Sequence, residues 1–205
     1  MQLNTAQHEA QQLARRIAGD VLAPNVVRND RDARFPVDEL KSLADAGLMG
    51  VNVSPEFGGM GAGVVAYSLA VTEVAAVDPA VAVTMCVNNM VAEVVHMFGN
   101  AEHHAKYLPR MMSGEINSGS FCLSEAGAGS DPQGMKTRAE QSDDGFVLNG
   151  TKAWITSGAH AGVFVVWAKT GERITAFIVD AASDGISAGK AEEKMGQHAS
   201  NTVTL

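Results

Sequence analysis

The stretch FCLSEAGAGSDPQG, residues 121–134, brings together serines, acids and glycines that could hold an anion. Successive backbone N–H groups around glycines can form a concave nest, to which Ser124 and Ser130 would add hydroxyl donors. A dinucleotide fingerprint would need a third glycine where Pro132 stands, and no Gly-Lys-Ser/Thr follows as in a P-loop. Both motifs are excluded. The stretch predicts a loop that binds phosphate or the edge of a heterocycle. The alternative is an ordinary connection between strands that uses glycine for its turns.

A second candidate is TKAWITSGAHAG, residues 151–162, which contains Trp154, one of only two tryptophans. If this segment is a strand, alternation places Trp154 and Thr156 on the same face. A flat aromatic ring beside a hydroxyl suits a planar heterocycle, through stacking and one hydrogen bond. A core tryptophan is the alternative.

Metal chemistry is not indicated. His103 and His104 are adjacent, so on a helix their side chains point about 100° apart and cannot clamp one ion. Cys86 and Cys122 both lie in apolar runs, which indicates buried free thiols rather than a disulfide or a metal pair.

The elements before Asn117 are predicted to be helices, because apolar residues recur at helical spacing. Pro36 and the Asp78-Pro79 pair are start signals, and Gly47 and Gly99 are stop signals. Two segments with little charge are expected to be buried in a bundle. The first predicted helix has its apolar face from Leu3 to Ile17 and ends near Pro24. The others are 35–47, Val64–Val77, Pro79–Phe98 and a short pair within 100–114.

After Asn117 the apolar residues recur at about every second position, which is typical of strands. Turn dipeptides such as Asp144-Gly145 and Asn149-Gly150 separate these alternating segments. The prediction is an α+β chain: a helical domain over 1–117, then an antiparallel β-barrel or sandwich domain over 118–205. The predicted strands are 118–125, 135–141, 146–150, 151–158, 162–169, 174–180, 185–196 and 201–205.

Composition narrows the class of protein. The 205 residues are 46% hydrophobic and 19% charged, which is ordinary for a globular protein. A net charge of −8 argues against a nucleic-acid partner. No run approaches the roughly 18 unbroken apolar residues of a membrane span, and the N-terminus lacks a signal core. The expectation is a cytoplasmic protein without membrane insertion.

Taken together, FCLSEAGAGSD, GFVLNGTKAWITSG and KMGQHASNT resemble the acyl-CoA dehydrogenase family. The corresponding family forms are close to YCVTEPGAGSD, a WIT segment after NGxK, and MGxRxSxT. The resemblance runs from about Pro36 to the end, in the family's order. Three residues depart from the pattern. Ser124 replaces a threonine, Ala126 replaces a proline, and His198 replaces an arginine, which leaves the fixed charge of that arginine in doubt.

The resemblance implies an FAD site at the face of the β domain. Trp154 would pack against the isoalloxazine ring of FAD, and Thr156 would lie next to the reactive nitrogen of that ring. Ser124 would form a hydrogen bond with the ring. Ser130 would contact the CoA part of the substrate. The implied cofactor-binding residues are Phe121, Cys122, Leu123, Ser124, Gly129, Ser130, Trp154, Ile155 and Thr156.

In the family, a helix in the middle of the bundle forms the floor of the acyl pocket. The matching stripe here is Val83, Cys86 and Met90, for which plain core packing is an equal alternative.

The family's reaction is α,β-dehydrogenation of an acyl-CoA, with hydride transfer to FAD. Its base is a glutamate of a C-terminal helical domain, so the base is expected beyond Leu205 and no catalytic residue within this chain. Glu125 and Asp131 are expected to be structural. The implied partners are acyl-CoA, an electron-transfer flavoprotein or similar acceptor, and further copies in a homotetramer or dimer.

Three alternatives stay open at this point. The chain could be an incomplete and inactive part of an acyl-CoA dehydrogenase. It could be a non-catalytic FAD- or CoA-binding subunit of a heteromeric complex. It could also belong to an acyl-CoA oxidase.

Overall fold

The N-terminal half of the molecule is helical in the computed structural model, which describes residues 2–143 and 145–205. A π-helical turn, Ala18–Leu22, extends the first helix, and short 3-10 turns lie at Leu48–Gly50 and Pro55–Phe57. The helices are α1 (Thr5–Ile17), α2 (Val26–Arg31), α3 (Val37–Asp45), α4 (Gly63–Ala75), α5 (Pro79–Phe98) and α6 (Ala101–Met112).

The helix ends follow local signals. One oxygen of Asp78 accepts from the backbone N–H groups of Ala80 and Val81, both at 3.0 Å, and Pro79 occupies the first turn of α5. Gly47 follows α3 with a left-handed φ of 76°. The start at Pro79 and the stop at Gly47 are therefore confirmed.

The predicted pair of helices within 100–114 is wrong, because α6 is one helix with Pro109 inside it. Asn100 and His103 form a capping box at its start. Its buried face, Tyr107, Leu108, Met111 and Met112, continues past the proline. Burial of that face holds the last turn in place despite the lost backbone hydrogen bond.

Helix α5 lies at the centre of the helical half. Asn89 donates to Leu48 O at 3.0 Å and accepts from Val51 N at 2.9 Å. By length and composition α5 could cross a membrane, with 20 residues and a mean hydropathy of 1.4, yet half of its most apolar window is buried inside the protein. Burial is not complete, however. Val64 of α4 and Met97 and Phe98 of α5 are exposed, so the two helices with little charge are only partly covered by the rest of the bundle.

The C-terminal half is a sheet domain. In its main sheet β5 pairs with β6 along one edge and with β1 and β2 along the other, and β3 pairs with β2; a two-stranded sheet joins β4 and β7. The strands are β1 (Gly119–Cys122), β2 (Arg138–Ser142), β3 (Gly145–Asn149), β4 (Ile155–Thr156), β5 (Val163–Thr170), β6 (Arg173–Asp180) and β7 (Thr202–Val203).

The sheet is mixed, which corrects the prediction of an antiparallel domain. Strand β1 runs parallel to β5 in the register Gly119↔Val163, and Arg138 of β2 pairs with Lys169 of β5, also in parallel. Parallel neighbours need a long crossover. Residues 123–162 supply it, because they carry β2, β3 and β4 between the two paired strands.

Three predicted strands are absent or shortened. Residues 185–196 are fully described and form no strand, since this glycine-rich and charged run has little apolar surface to bury. Only Ile155–Thr156 of 151–158 and Thr202–Val203 of 201–205 are strand. The predicted Asp144-Gly145 turn includes Asp144, which lies outside the described residues.

The two halves are linked by specific polar contacts. Asn88 of α5 accepts from Gly119 N at 2.9 Å, and Lys106 of α6 lies 2.5 Å from a carboxylate oxygen of Asp180. The predicted boundary near Asn117 falls in the connection 113–118, between α6 and β1. The domain division itself stays a prediction.

Candidate functional site

The two segments that the sequence singled out lie side by side. Ala153 N donates to Ser124 O at 2.9 Å, and the hydroxyl of Ser120 donates to Thr156 O at 2.7 Å. These bonds fasten the WIT segment to the end of β1, where the glycine-rich loop begins. The structure therefore brings together two sets of residues that are about thirty positions apart in the chain.

Trp154 is not a strand residue, so the alternation argument for it is wrong. Its φ is 61°, in the left-handed region that a non-glycine residue seldom adopts. The core alternative is wrong as well, because Trp154 is 64% exposed. Such backbone strain costs of order 1–3 kcal/mol and persists only where the surroundings fix it. Here the Ala153 bond precedes Trp154 and the β4–β7 pairing follows it.

The glycine-rich loop presents open backbone. Neither Gly127 nor Gly129 has a left-handed φ, and a Cβ built at either would meet no atom within 4 Å. Turn geometry and packing within the described chain therefore do not demand glycine at these positions. Gly129 and Ser130 are exposed, and Ser124 and Thr156 are half-buried. The loop leaves room for a ligand to approach its amides closely.

Three predicted cofactor-binding residues have buried or core-packed side chains. Cys122 and Ile155 are each 1% exposed, and burial raises the pKa of the Cys122 thiol to about 12. Phe121 packs on Trp167 with ring centroids 5.9 Å apart. Their contribution to a ligand site would be to position the neighbouring residues of the loop and the WIT segment.

Glu125 is held by a buried network that sequence reasoning missed. One oxygen accepts from Lys152 Nζ at 2.8 Å, Thr137 N at 3.0 Å and the Thr137 hydroxyl at 2.5 Å, and the other accepts from Lys136 N at 2.6 Å. Lys152 also donates to Leu123 O at 3.0 Å. The only sequence signal was a lysine between two strands, in NGTK.

These hydrogen bonds determine whether the Glu125 carboxylate can act as a base. Burial would raise the pKa of its carboxyl, but hydrogen bonds from Lys152, Thr137 and two backbone amides outweigh burial and lower that pKa to about 2. A carboxylate so weakly basic and so fully bonded is a poor proton acceptor. Asp131 accepts from Gln133 N at 3.1 Å and caps the exposed turn Pro132–Gly134. Neither acid is placed as a catalytic base.

The α5 stripe is intermediate between surface and core. Val83 and Cys86 are half-buried and Met90 is 38% exposed, so none of the three is fully packed inside. Tyr67 of α4 lies beside Cys86. Burial is the main cause that raises the pKa of the Tyr67 hydroxyl, and a hydrogen bond with the Cys86 thiol is the second. The three residues form an apolar, partly exposed strip on α5.

His198 forms a contact between the two halves. Its backbone N–H donates to one oxygen of Asp30 at 2.8 Å, while its Nδ1 lies 3.0 Å from the other oxygen and its Nε2 lies 2.8 Å from Lys194 O. Both ring nitrogens face acceptors, an arrangement that favours imidazolium. Hydrogen bonds to Asp30 and then to the Lys194 backbone raise the pKa of His198, and hydrogen bonds from His198 lower the pKa of Asp30.

Within the described part of the chain, no three His, Cys, Asp or Glu side chains are placed so that they could hold one metal ion. His103 belongs to the capping box of α6. His104 instead packs on Phe57, with ring centroids 5.1 Å apart.

Comparison with known proteins gives two family matches. Residues 4–115 match the family model "Acyl-CoA dehydrogenase, N-terminal domain", and residues 120–205 match "Acyl-CoA dehydrogenase, middle domain". The mitochondrial short/branched chain specific acyl-CoA dehydrogenase of Bos taurus is 36% identical over 197 residues, which cover 93% of this chain and 45% of the relative.

Solved structures agree with these matches. A glutaryl-CoA dehydrogenase from Mycobacterium smegmatis in complex with FADH2 superposes with a TM-score of 0.93 at 31% identity, covering 98% of this chain and 52% of that chain. A chain from a structure of the electron transferring flavoprotein of Acidaminococcus fermentans superposes with a TM-score of 0.95 at 34% identity, covering 100% and 55%. This chain thus spans about half the length of the relatives it matches.

The two matches cover the helical half and the sheet half in turn, and the superpositions reproduce a helical region followed by a mixed sheet domain. The resemblance in the glycine-rich loop, the WIT segment and the MGQHASNT segment is therefore confirmed, and the chain belongs to the acyl-CoA dehydrogenase family.

Proposed function

We propose that the protein carrying this chain is an FAD-dependent acyl-CoA dehydrogenase, which removes hydrogen from the α and β carbons of an acyl-CoA thioester. The observation that carries the proposal is Trp154, an exposed aromatic ring fixed at a strained backbone position beside the open glycine-rich loop. Strain maintained at an exposed aromatic residue is typical of a ligand site.

The residues present fit a flavin. The Trp154 ring offers a flat surface for stacking on an isoalloxazine ring. The hydroxyls of Ser124 and Thr156 lie on the two segments that the Ala153–Ser124 bond fastens together. Gly127 and Gly129 leave free approach to the loop amides. When bound, FAD would supply the hydride acceptor.

The substrate is proposed to lie along the other side of the same loop. Ser130 is exposed near the tip of the loop and would donate to the CoA part of the thioester. The apolar strip of Val83, Cys86 and Met90 would receive the acyl chain, since it offers a mostly apolar surface that the described helices only partly cover.

The proton-abstracting carboxylate is proposed to lie outside these 205 residues. An α-proton of a thioester is weakly acidic, so its base must combine proximity with adequate basicity. Glu125 is buried and has a pKa of about 2, and Asp131 caps its own turn. We therefore propose that residues 1–205 alone do not turn over acyl-CoA. General base catalysis typically contributes about 10²–10⁴-fold.

The electron acceptor is proposed to be an electron-transfer flavoprotein, in line with the Acidaminococcus fermentans structure that this chain resembles. A homo-oligomeric assembly and a cytoplasmic location stay predictions.

The test compares two proteins: residues 1–205, and a longer protein that contains them. Each is purified, its bound flavin is measured, and bleaching of the flavin absorbance is followed after acyl-CoA is added without an acceptor. We expect bleaching only in the longer protein. Bleaching by residues 1–205 that disappears in Glu125→Gln would place the base within this chain. A longer protein without flavin would contradict the proposed function.

A further inference from the structure

The small two-stranded sheet carries the WIT segment and is bonded to the chain around it. Strand β4 pairs with β7. Beyond the strands, Ser157 N donates to Asn201 O at 2.6 Å, and Ala159 N donates to the side-chain oxygen of Asn201 at 3.2 Å. These bonds join residues 153–161 and 194–203 into one unit, the β4–β7 unit, which contains the WIT segment.

One contact of the β4–β7 unit with the helical half is made by His160. Its ring stacks on the ring of Phe35, with centroids 4.1 Å apart and planes inclined by only 6°. Phe35 lies in the connection between α2 and α3 and is 7% exposed, so the core of the helical half fixes its ring. His160 itself remains exposed, which makes this stack a surface contact of the unit.

The other contact is made by His198. Its Nδ1 lies 3.0 Å from one oxygen of Asp30 in α2, and its backbone N–H donates to the other oxygen at 2.8 Å. The Nε2 of His198 faces Lys194 O at 2.8 Å. Lys194 is also the nearest cation of the same segment, and its ammonium donates to Ser200 O at 2.7 Å. Imidazolium therefore suits the position of His198 better than neutral imidazole.

Few other charged groups lie around the two contacts. Arg31 of α2 and Asp78 at the start of α5 line the same cavity as Asp30. Arg31 is paired with Asp32 at 2.7 Å. Partial burial alone, with no charged group of the described residues, lowers the pKa of His160.

Both contacts hold the β4–β7 unit against one region of the helical half. Asp30 and Phe35 are only five positions apart, in α2 and in the connection that follows it. Strands β4 and β7 have two residues each, and so short a pairing is marginally stable by itself. The position of the unit therefore depends on its contacts with the helical half as well as on its bonds to β1. The same unit holds Trp154 at its left-handed φ of 61°.

We propose that His160 and His198 are positioning residues for the flavin, which hold the β4–β7 unit on the helical half and thereby make the affinity for FAD depend on pH. The inference rests on the proposed function, because it takes FAD as the ligand of the WIT segment. Both histidines act through the backbone that presents Trp154 and Thr156, and neither is assigned a contact with the flavin.

The two contacts respond to pH in opposite directions. The pKa of His198 is raised, so its contribution is fully present below about 6.5 and is lost as pH rises through the folded pKa. The pKa of His160 is lowered, so its contribution is present above about 6.5 and is lost as pH falls through the folded pKa. The affinity for FAD should therefore be highest near pH 6.5 and fall on both sides.

The experiment measures the Kd for FAD between pH 5.5 and pH 8.5 in the intact, flavin-loaded protein that carries this chain, from the flavin released on dilution. His160→Phe keeps an aromatic ring for the stack and removes the titrating group. His198→Arg keeps a positive charge at every pH of the series. The two changes are made singly and together. His8→Gln is the matched control, since His8 is an exposed histidine of α1 outside the β4–β7 unit.

We expect the Kd of the wild-type protein to rise about two- to fivefold on each side of pH 6.5, which is the size that partly exposed contacts contribute. His160→Phe should remove the rise on the acid side only, and His198→Arg the rise on the alkaline side only. The double variant should bind FAD with one Kd throughout the series, and His8→Gln should match wild type. Far-UV circular dichroism at each pH checks that every protein stays folded.

Four results would overturn the proposal. A wild-type Kd that is constant from pH 5.5 to pH 8.5 would refute this inference and leave the proposed function standing. A pH dependence that persists in the double variant would place the titrating group in the ligand or elsewhere in the protein. A changed profile in His8→Gln would show a general charge effect. A wild-type protein that binds no FAD at any pH would contradict the inference and the proposed function together.

Discussion

The ammonium nitrogen of Lys152 lies 2.8 Å from a carboxylate oxygen of Glu125, and the two side chains are only 4% and 9% exposed. This buried ion pair joins the start of the glycine-rich loop to the residue two positions before Trp154. Thr137, the residue just before β2, donates to the same carboxylate twice, through its backbone N–H and its hydroxyl. The pair thus fixes the relative position of the two segments that form the proposed flavin site.

Removing one partner of this pair should be costly. Lys152→Met leaves the Glu125 carboxylate buried with one fewer donor, and breaking a buried pair in this way costs about 3–5 kcal/mol. The measurement is the free energy of unfolding in urea. The control is Lys190→Met, which breaks a pair with Glu193 whose side chains are 84% and 86% exposed. That change should cost at most about 1 kcal/mol. Equal effects of the two variants would show that the buried pair does not organise the loop.

The contact between His198 and Asp30 should make stability depend on pH. The pKa of His198 is raised in the folded state, so its contribution is fully present below the ordinary value of about 6.5 and is lost as pH rises through the folded pKa. The pKa of Asp30 is lowered, so its contribution is present above about 3.9 and is lost as pH falls through the folded pKa.

The pair should therefore stabilise the protein most between those two ordinary values. Thermal unfolding of wild type and His198→Ala is compared at pH 5.5 and pH 8.5. We expect the difference in Tm between the two proteins to be larger at pH 5.5 than at pH 8.5. His198→Arg carries a charge at both pH values. Its Tm should therefore fall less than that of wild type when the pH is raised from 5.5 to 8.5. A Tm difference that is the same at both pH values would contradict this assignment.

The loop glycines should matter to the ligand and not to the fold. Gly129→Ala meets no atom within 4 Å and needs no left-handed φ, so it should change the free energy of unfolding by less than about 0.5 kcal/mol. It should nevertheless weaken FAD or acyl-CoA binding. Gly150→Ala is the contrast, because its Cβ would lie 2.3 Å from the Thr137 hydroxyl oxygen. If Gly129→Ala kept full affinity for both ligands, the loop would not be a binding surface.

Ser130 should act on substrate rather than on flavin. In a protein that contains this chain and turns over acyl-CoA, Ser130→Ala should raise KM a few-fold to about tenfold, the loss of one neutral hydrogen bond of about 0.5–1.5 kcal/mol. Bound flavin should stay at the wild-type level. Steady-state kinetics with a flavin absorbance spectrum measure both. Flavin loss with an unchanged KM would reverse the assignment.

Local signals carried much of the fold prediction. The Asp78-Pro79 start and the Gly47 stop depend on hydrogen bonds and φ values within a few residues, so the sequence reveals them directly. The linked motifs also revealed the family, because their order and spacing are specific. The adjacency of Ser124 and Trp154 followed from that resemblance and not from the local pattern.

Long-range features could not be predicted in the same way. The parallel pairing of β1 with β5 joins residues more than forty positions apart, and no local pattern encodes its direction. The Lys152–Glu125 pair spans 27 positions. Trp154 was misplaced because alternation assumes a regular strand, whereas its φ of 61° is imposed by the contacts that flank it.

The most direct test of the account is the affinity of FAD for a Trp154 variant. Equilibrium binding of FAD is measured for wild type, Trp154→Ala and Phe98→Ala, each in the intact protein that carries this chain. Phe98 is the control, since it is an exposed aromatic residue at the end of α5 and 78% accessible. An aromatic stacking contact contributes about 0.5–1.5 kcal/mol beyond the area that it buries.

We predict that Trp154→Ala raises the Kd for FAD about tenfold or more and shifts the flavin spectrum, while Phe98→Ala leaves both unchanged. Full flavin occupancy with an unaltered spectrum in Trp154→Ala would contradict the proposed flavin site.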